Sequence, residues 1–373
     1  MKLVFLIDSP RRIGGGDYAQ FYFAKKLAEK GHQITIFARD KNFFSSELKN
    51  IKNLKIFYYR SIPLFVKRLG IGFFNNIWSW IYTSTITKSF ISKNKPNFIV
   101  GYLRDSAIKA VFLGKKTNTK VANFIFETPP WMERDLPDEW KIELKNKKFK
   151  QSWEETKLAY EESDVLIPNS KLAGFMCRKW LPGTNISKPV YPGIDFSNIP
   201  KLNQEKRIFD IIYVGRLNIL KNVNEILEAG RMINKSLKIV IVGSGEELPK
   251  LKKLSETYGL DVTFKGAVSD EEKWMLYQQS ELLVFPTSHE GFGMPPLEAL
   301  ACGCKVICSD LAIFKEVYGT EVGYFPLHDV KKLSLKISNV LNNEQKTKKS
   351  KLIDKYSWEN SVRTIESILR TVK

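Results

Sequence analysis

Short apolar runs recur along the whole chain and alternate with stretches whose apolar positions return at helical spacing. The run at 3–7 suits a parallel strand buried on both faces. Behind it come Gly14, Gly15 and Gly16, then a helix expected over 17–30, with Phe21, Ala24, Leu27 and Ala28 on one face and Gly31 as its stop. Further strands are expected at 33–37, 98–100, 121–126 and 165–168, and a Pro-, Trp- and Lys-rich loop or insertion over 129–151. After Tyr191-Pro192-Gly193-Ile194-Asp195 the pattern restarts, with 201–207 as the polar linker. Strands at 211–214, 238–242, 262–265, 282–285 and 305–308 then alternate with helices at 223–232, 247–258 and 271–279. Such alternation in each half predicts an α/β protein of two doubly wound domains. Ligands of these sheets bind beyond the carboxyl ends of the strands.

A length of 373 residues suits two domains of ordinary size, and a hydrophobic fraction of 43% supplies their cores. Four cysteines are too few and too clustered for a disulfide framework, so a reducing, cytoplasmic compartment is expected. Cys302, Cys304 and Cys308 lack a zinc-like spacing and read as core packing, so no metal site is expected. Lysine and arginine exceed acidic residues to give a net charge of +19, which draws polyanions: nucleotide diphosphates, anionic lipid or nucleic acid. The basic residues are dispersed and no nucleic-acid-binding motif occurs, which argues against specific nucleic-acid recognition. Residues 69–87 carry no charge but are rich in Asn, Ser and Thr. Phe74, Ile77, Trp78 and Ile81 fall at helical spacing, so an amphipathic helix is expected there, either in the core or edging a membrane interface.

Chemistry concentrates in His289-Glu290-Gly291-Phe292-Gly293-Met294-Pro295-Pro296-Leu297-Glu298. Two carboxylates flank a glycine turn and a Pro-Pro step that starts a helix. A carboxylate accepts hydrogen bonds from neighbouring hydroxyls, glycines let backbone amides approach a ligand, and a helix start favours phosphate. The pattern describes a pocket for a polyhydroxylated anion. A second cluster, Gly215-Arg216-Leu217-Asn218-Ile219-Leu220-Lys221, ends a strand with two cations able to converge on a diphosphate.

With its flanks, from Phe285-Pro286 to Val306-Ile307, the glutamate pair resembles the Glu-x7-Glu signature of retaining, nucleotide-sugar-dependent glycosyltransferases of family 4. The likeness spans nearly the whole chain and is strongest over 210–329. It implies the GT-B fold: two Rossmann-like domains facing across a cleft, an acceptor-side domain at 1–200 and a donor domain at 201–355, with the helix at 356–373 packing back on the first. It implies a UDP- or GDP-linked hexose as donor and a hydroxyl of a glycan or lipid-linked sugar as acceptor, with retention and no required metal or other cofactor. Glu290 would lie against the donor sugar and Glu298 would hold the ribose hydroxyls. Arg216 and Lys221 would clamp the diphosphate, Gly15, Gly16, Gly215, Phe292 and Gly293 would border the donor, and Val268 would meet the base. Ile239 to Glu246, a strand running into a Gly-x-Gly turn, resembles the element that borders the nucleotide. Glu316 matches a recurring acid or is a surface helix acid.

One departure stands out. Where many relatives carry a histidine the chain has Phe126, which leaves Glu127 as the ionisable group nearby, either orienting an acceptor hydroxyl or serving as a structural acid. An epimerase or hydrolase on the same architecture, or a non-catalytic or DNA-directed nucleotide-sugar binder, stays open. The basic charge together with Trp78, Trp80 and Trp131 points to an acceptor at a membrane surface, the inner face for a cytoplasmic protein.

Overall fold

The computed structural model describes residues 1–7, 15–38, 51–58, 72–102, 104–129, 132, 145–194, 199, 207–233, 236–343 and 350–372, without the side chains of 17, 72–82 and 104. Among these residues the chain divides into two compact units. One draws on Met1–Leu136, Ile142–Gly193 and Trp358–Lys373; the other is Ile194–Ser357.

The first unit holds β1 (Lys2–Ile7), β2 (Gln33–Ala38), β3 (Leu54–Tyr58), β4 (Phe98–Gly101), β5 (Lys120–Ile125) and β6 (Val165–Pro168). They form one sheet in the order β3-β2-β1-β4-β5-β6, and each pairing is parallel. Helices α1 (Gly15–Glu29), α2 (Gly72–Asn94), α3 (Arg104–Thr117), α4 (Lys147–Glu161) and α5 (Lys171–Trp180) connect them. The loop expected over 129–151 is cut short, because Asn146 caps the Lys148 N–H and starts α4 at Lys147.

The second unit repeats the plan with β7 (Phe209–Val214), β8 (Lys238–Val242), β9 (Asp261–Gly266), β10 (Ser280–Phe285), β11 (Lys305–Ser309) and β12 (Gly323–Phe325) in the order β12-β11-β10-β7-β8-β9. These pairings are parallel too. Its helices are α6 (Val223–Arg231), α7 (Leu248–Tyr258), α8 (Asp270–Gln278), α9 (Met294–Ala301), α10 (Ala312–Tyr318), α11 (Val330–Leu341) and α12 (Leu352–Lys355).

The last helix, α13 (Trp358–Thr371), belongs to the first unit. Trp358, Val362, Ile365 and Leu369 form a stripe at helical spacing and are buried in that unit's core. Trp358 stacks on Tyr22 at 5.1 Å and meets Phe23 edge-on at 5.4 Å. The chain changes unit at Gly193/Ile194 and Ser357/Trp358, ahead of the polar stretch 201–207. The reason is local: Ile194 is buried, its N–H donates to the Tyr356 carbonyl, and it bridges Ser357.

Among the described residues no helix is long and apolar enough to cross a membrane. Residues 72–94 are helical, but the side chains of Phe74, Ile77, Trp78, Trp80 and Ile81 lie outside the described set, as does Trp131.

Candidate active site

In both sheets the first strand of the unit has neighbours reached by opposite windings, which creates a topological switch point. In the second unit it lies between β7 and β10. The loop after β7 carries Gly215, Arg216 and Lys221; the loop after β10 carries Thr287, Ser288, His289 and Glu290. Of the charged residues singled out, Arg216, Lys221 and Glu290 therefore stand on the two loops where a doubly wound sheet opens, while Glu298 lies on α9.

The two loops are tied together. A short 3-10 turn, Ile219–Lys221, follows β7, and the Leu220 carbonyl accepts from the Ser288 N–H at 2.8 Å, the Ser288 hydroxyl at 3.0 Å and the Thr287 hydroxyl at 3.2 Å. Asn222, left-handed at φ 48°, donates to the Pro286 carbonyl. Ser309 on β11 donates to the Thr287 carbonyl at 2.5 Å. Held this way, the Lys221 ammonium reaches Glu290 Oε1 at 2.5 Å, Thr287 Oγ1 at 3.3 Å and the His289 carbonyl at 3.4 Å. Both charged side chains are 18% exposed, so water screens the pair incompletely. Underneath lies Tyr213, stacked on Phe285, whose hydroxyl donates to the Arg216 carbonyl at 2.9 Å. Burial, then the Glu290 charge, pushes the Tyr213 phenol well above its ordinary pKa, so it stays a neutral donor.

Glu298 sits in the second turn of α9 and is almost wholly buried. Lys273 donates to Oε1 at 2.9 Å and the Tyr277 hydroxyl to Oε2 at 2.9 Å. Lys273 also pairs with Asp270 at 3.0 Å. Burial works to lower the Lys273 pKa, but Glu298 and Asp270 outweigh it and the net shift is upward. Burial, then Glu298, raises Tyr277 far above its usual value. Between the glutamates the chain is fixed at Gly293, whose φ of +82° and 2.6 Å approach of Phe314 to a would-be Cβ admit no larger residue. The Tyr318 hydroxyl donates to the Gly293 carbonyl. After burial, charges around Tyr318 raise its pKa, Glu290 and Glu298 among them, so one phenol lies within electrostatic reach of both carboxylates. The start of α9 is a poorer anion site than its sequence promised, because Pro295 and Pro296 each lack the N–H that a helix start offers.

Arg216 is exposed, and its guanidinium takes no hydrogen bond or ion pair among the described residues. Val268 is half-buried beyond β9, just after Gly266, whose carbonyl accepts from Gly243. Gly243 and Gly245 serve packing: a Cβ at either would collide with the Gly215 or the Leu217 carbonyl. That closeness lets Gly215 donate to Val242 and Leu217 to Ser244, joining the loops after β7 and β8. The Phe292 ring is buried edge-on to Tyr356 at 5.4 Å, so from Phe292 only the backbone is left to face a ligand. Glu316 is half-buried on α10, where its charge adds to the burial that raises Tyr356.

Glu127, Gly15 and Gly16 belong to the first unit. Gly15 and Gly16 form the first turn of α1, which starts two residues earlier than its periodicity indicated. Phe126 is buried, stacked on Phe124 at 6.1 Å and edge-on to Tyr102, while Glu127 beside it is exposed. Reading the sequence missed Lys273 and Tyr277. Their i, i+4 spacing on α8 puts both on one helix face, but only the fold shows that face meeting Glu298.

Two units with the same doubly wound strand order, one pairing Lys221 with Glu290 at its switch point, define a Rossmann-like α/β protein. Residues 195–357 match the family model described as glycosyl transferases group 1, so the second unit is a group 1 glycosyltransferase domain. The chain is similar to the serotype-specific mannosyltransferase WbdA of Escherichia coli, 30% identical over 211 residues that make up 51% of this chain and 26% of WbdA. It thus spans about a quarter of that relative's length. An uncharacterized glycosyltransferase of Methanocaldococcus jannaschii, MJ1069, is 24% identical over 95% of this chain and 94% of its own. Among solved structures, a sucrose-phosphate synthase from Thermosynechococcus elongatus superposes with a TM-score of 0.78 at 17% identity, covering 99% of this chain and 98% of that one. HepE of Anabaena, solved with UDP and glucose, gives 0.74 at 16% identity over all of both chains. These likenesses establish the fold, two Rossmann-like domains of the GT-B kind.

Proposed function

We propose that this chain is a glycosyltransferase that moves a hexose from a UDP- or GDP-linked donor to a hydroxyl of a glycan or lipid-linked acceptor, with retention of anomeric configuration. One observation carries the reading. Within the group 1 glycosyltransferase domain, each glutamate of the pair is held by a lysine from another element, Glu290 by Lys221 and Glu298 by Lys273. Breaking a sugar–phosphate bond puts negative charge on the departing diphosphate. Arg216, with no partner among the described residues, and Lys221, on a braced loop, are the donors for that charge, and preorganised donors of this kind usually supply the largest catalytic contribution. Glu290 takes the sugar's hydroxyls and Glu298 the ribose. HepE, which binds UDP and glucose, and the E. coli mannosyltransferase support a nucleotide-linked hexose as donor. A Campylobacter jejuni relative that acts on a diphospho-undecaprenol-linked sugar, 26% identical over 60% of this chain, supports a lipid-linked acceptor. On the same reading the enzyme works in the reducing cytoplasm at the inner membrane face, supported by four free, buried cysteines and the +19 charge.

The test is a thermal-shift panel of uridine, guanosine and adenosine diphosphate sugars on wild type, Glu298→Ala and Arg216→Ala, followed by turnover with and without acceptor. One donor should stabilise the wild type and neither variant, and transfer should require acceptor. Stabilisation of all three proteins alike would remove the site assignment. Rapid donor breakdown without acceptor would make the protein a hydrolase or epimerase.

A further inference from the structure

The carboxylate of Glu298 is already half occupied. An ionised carboxylate offers about four lone-pair positions, two on each oxygen. Lys273 fills one on Oε1 and Tyr277 one on Oε2, each at 2.9 Å. Among the described residues each oxygen keeps one position free, and Glu298 is 7% exposed, so little room is left for a further partner. Both donors are themselves fixed. Tyr277 is fully buried and its carbonyl accepts from Cys304 Sγ at 2.8 Å; Lys273 is anchored by Asp270 and lies over the Trp274 ring at 4.7 Å. One acceptor position on each of two adjacent oxygens matches a vicinal diol, which presents two hydroxyl donors side by side.

We propose that Lys273 and Tyr277 are positioning residues that aim Glu298 at the 2′,3′-diol of a ribonucleotide, so that together they make the site selective for ribo- over 2′-deoxyribonucleoside diphosphates. The inference rests on the proposed function and deepens it: Glu298 touches the sugar, while Lys273 and Tyr277 act through Glu298. A site built to bond a hydroxyl rejects the analogue lacking it, because its acceptor is left unpaired.

The experiment is isothermal titration of the full chain with UDP, 2′-deoxy-UDP, GDP and 2′-deoxy-GDP. Wild type should prefer the ribonucleotide of the better base by about ten-fold or more, the weight of one hydrogen bond to a charged acceptor. Tyr277→Phe and Lys273→Gln should each shrink that preference to within about three-fold by weakening the ribo form alone, while deoxy binding holds. In a Glu298→Gln background Tyr277→Phe should leave the preference unchanged, since its effect runs through the carboxylate. Lys273→Gln keeps the test alive if Tyr277→Phe folds poorly. A ribo preference that survives both substitutions overturns the inference while leaving the nucleotide reading intact, as does a wild type that binds both forms equally. Failure of the wild type to bind any of the four removes the nucleotide reading and the inference with it.

Discussion

The Lys221 ammonium lies 2.5 Å from Glu290 Oε1, joining the loops after β7 and β10 at the point where the sheet's winding reverses. Each charge therefore has a close counter-ion in the other. On the proposed function, a diphosphate would draw Lys221 away from Glu290 and free that carboxylate for sugar hydroxyls. Removing either partner should therefore have unlike effects. On the proposed function, Lys221→Met should lower kcat/KM about a hundred-fold or more, because a donor aimed at developing charge would be gone. Glu290→Gln should leave nucleoside diphosphate affinity unchanged or tighter, because Lys221 is then unopposed, while kcat falls. Steady-state kinetics paired with calorimetry of the diphosphate alone separates the two. Equal losses in both variants would mean the pair is only a brace.

Arg216 offers the cleanest separation of function from stability. Its guanidinium is exposed, and the backbone around it is held from below by Tyr213. Arg216→Ala should change unfolding free energy by no more than about 0.5 kcal/mol, as for surface positions generally. Diphosphate affinity should drop about ten-fold or more, the loss expected for charge-assisted bonds. Chemical denaturation beside a binding titration checks both halves.

How far the sequence leads can be seen residue by residue. Runs such as 3–7 and 239–242 announce strands because parallel strands covered on both faces must be apolar throughout. β3 escapes notice because its side chains alternate between half-buried and exposed, and β12 because three residues make no pattern. Lys221, Glu290 and Glu298 are legible because their chemistry lies in short segments. What holds them is not: Lys273 and Tyr277 precede Glu298 by more than twenty residues, and Gly243 and Gly245 are explained only by the Gly215 and Leu217 carbonyls opposite them. Glycine in a turn signals a close approach without saying what approaches.

Gly293 should be intolerant even of alanine. Its φ of +82° disfavours an L side chain, and Phe314 stands 2.6 Å from the Cβ position. Gly293→Ala should destabilise the second unit by about 1–3 kcal/mol through backbone strain. It should also displace the Tyr318-bonded carbonyl that lies between the two glutamates. Urea unfolding measures the first effect and donor affinity the second; a variant with wild-type values in both would show that this turn bears no strain.

Trp358 anchors the last helix in the first unit's core, 1% exposed between Tyr22 and Phe23. Trp358→Ala should cost about 3–5 kcal/mol, the usual range for a large buried aromatic. Because α13 packs on α1, hydrogen exchange should rise in both helices and stay low in β7, β8 and β10 of the other unit. Uniform exchange across both units would show that they unfold as one.

Glu366 fastens the same helix electrostatically, accepting from Lys30 at 2.7 Å and sharing a 2.7 Å hydrogen bond with His32 Nε2. Burial works to raise its pKa, but the bonds from Lys30 and His32 and their charges outweigh it, so the net shift is below the ordinary 4.5. A carboxyl with a depressed folded-state pKa binds its proton more readily when unfolded. Its contribution to stability is therefore complete above the unfolded value and disappears as pH falls through the folded one. The wild type should lose stability more steeply than Glu366→Gln as pH drops from about 5 toward 3, and the variant should be the weaker protein at pH 7. Urea midpoints across that range decide the matter: parallel curves for the two proteins would mean that Lys30 and His32 hold α13 no better with the charge than without it.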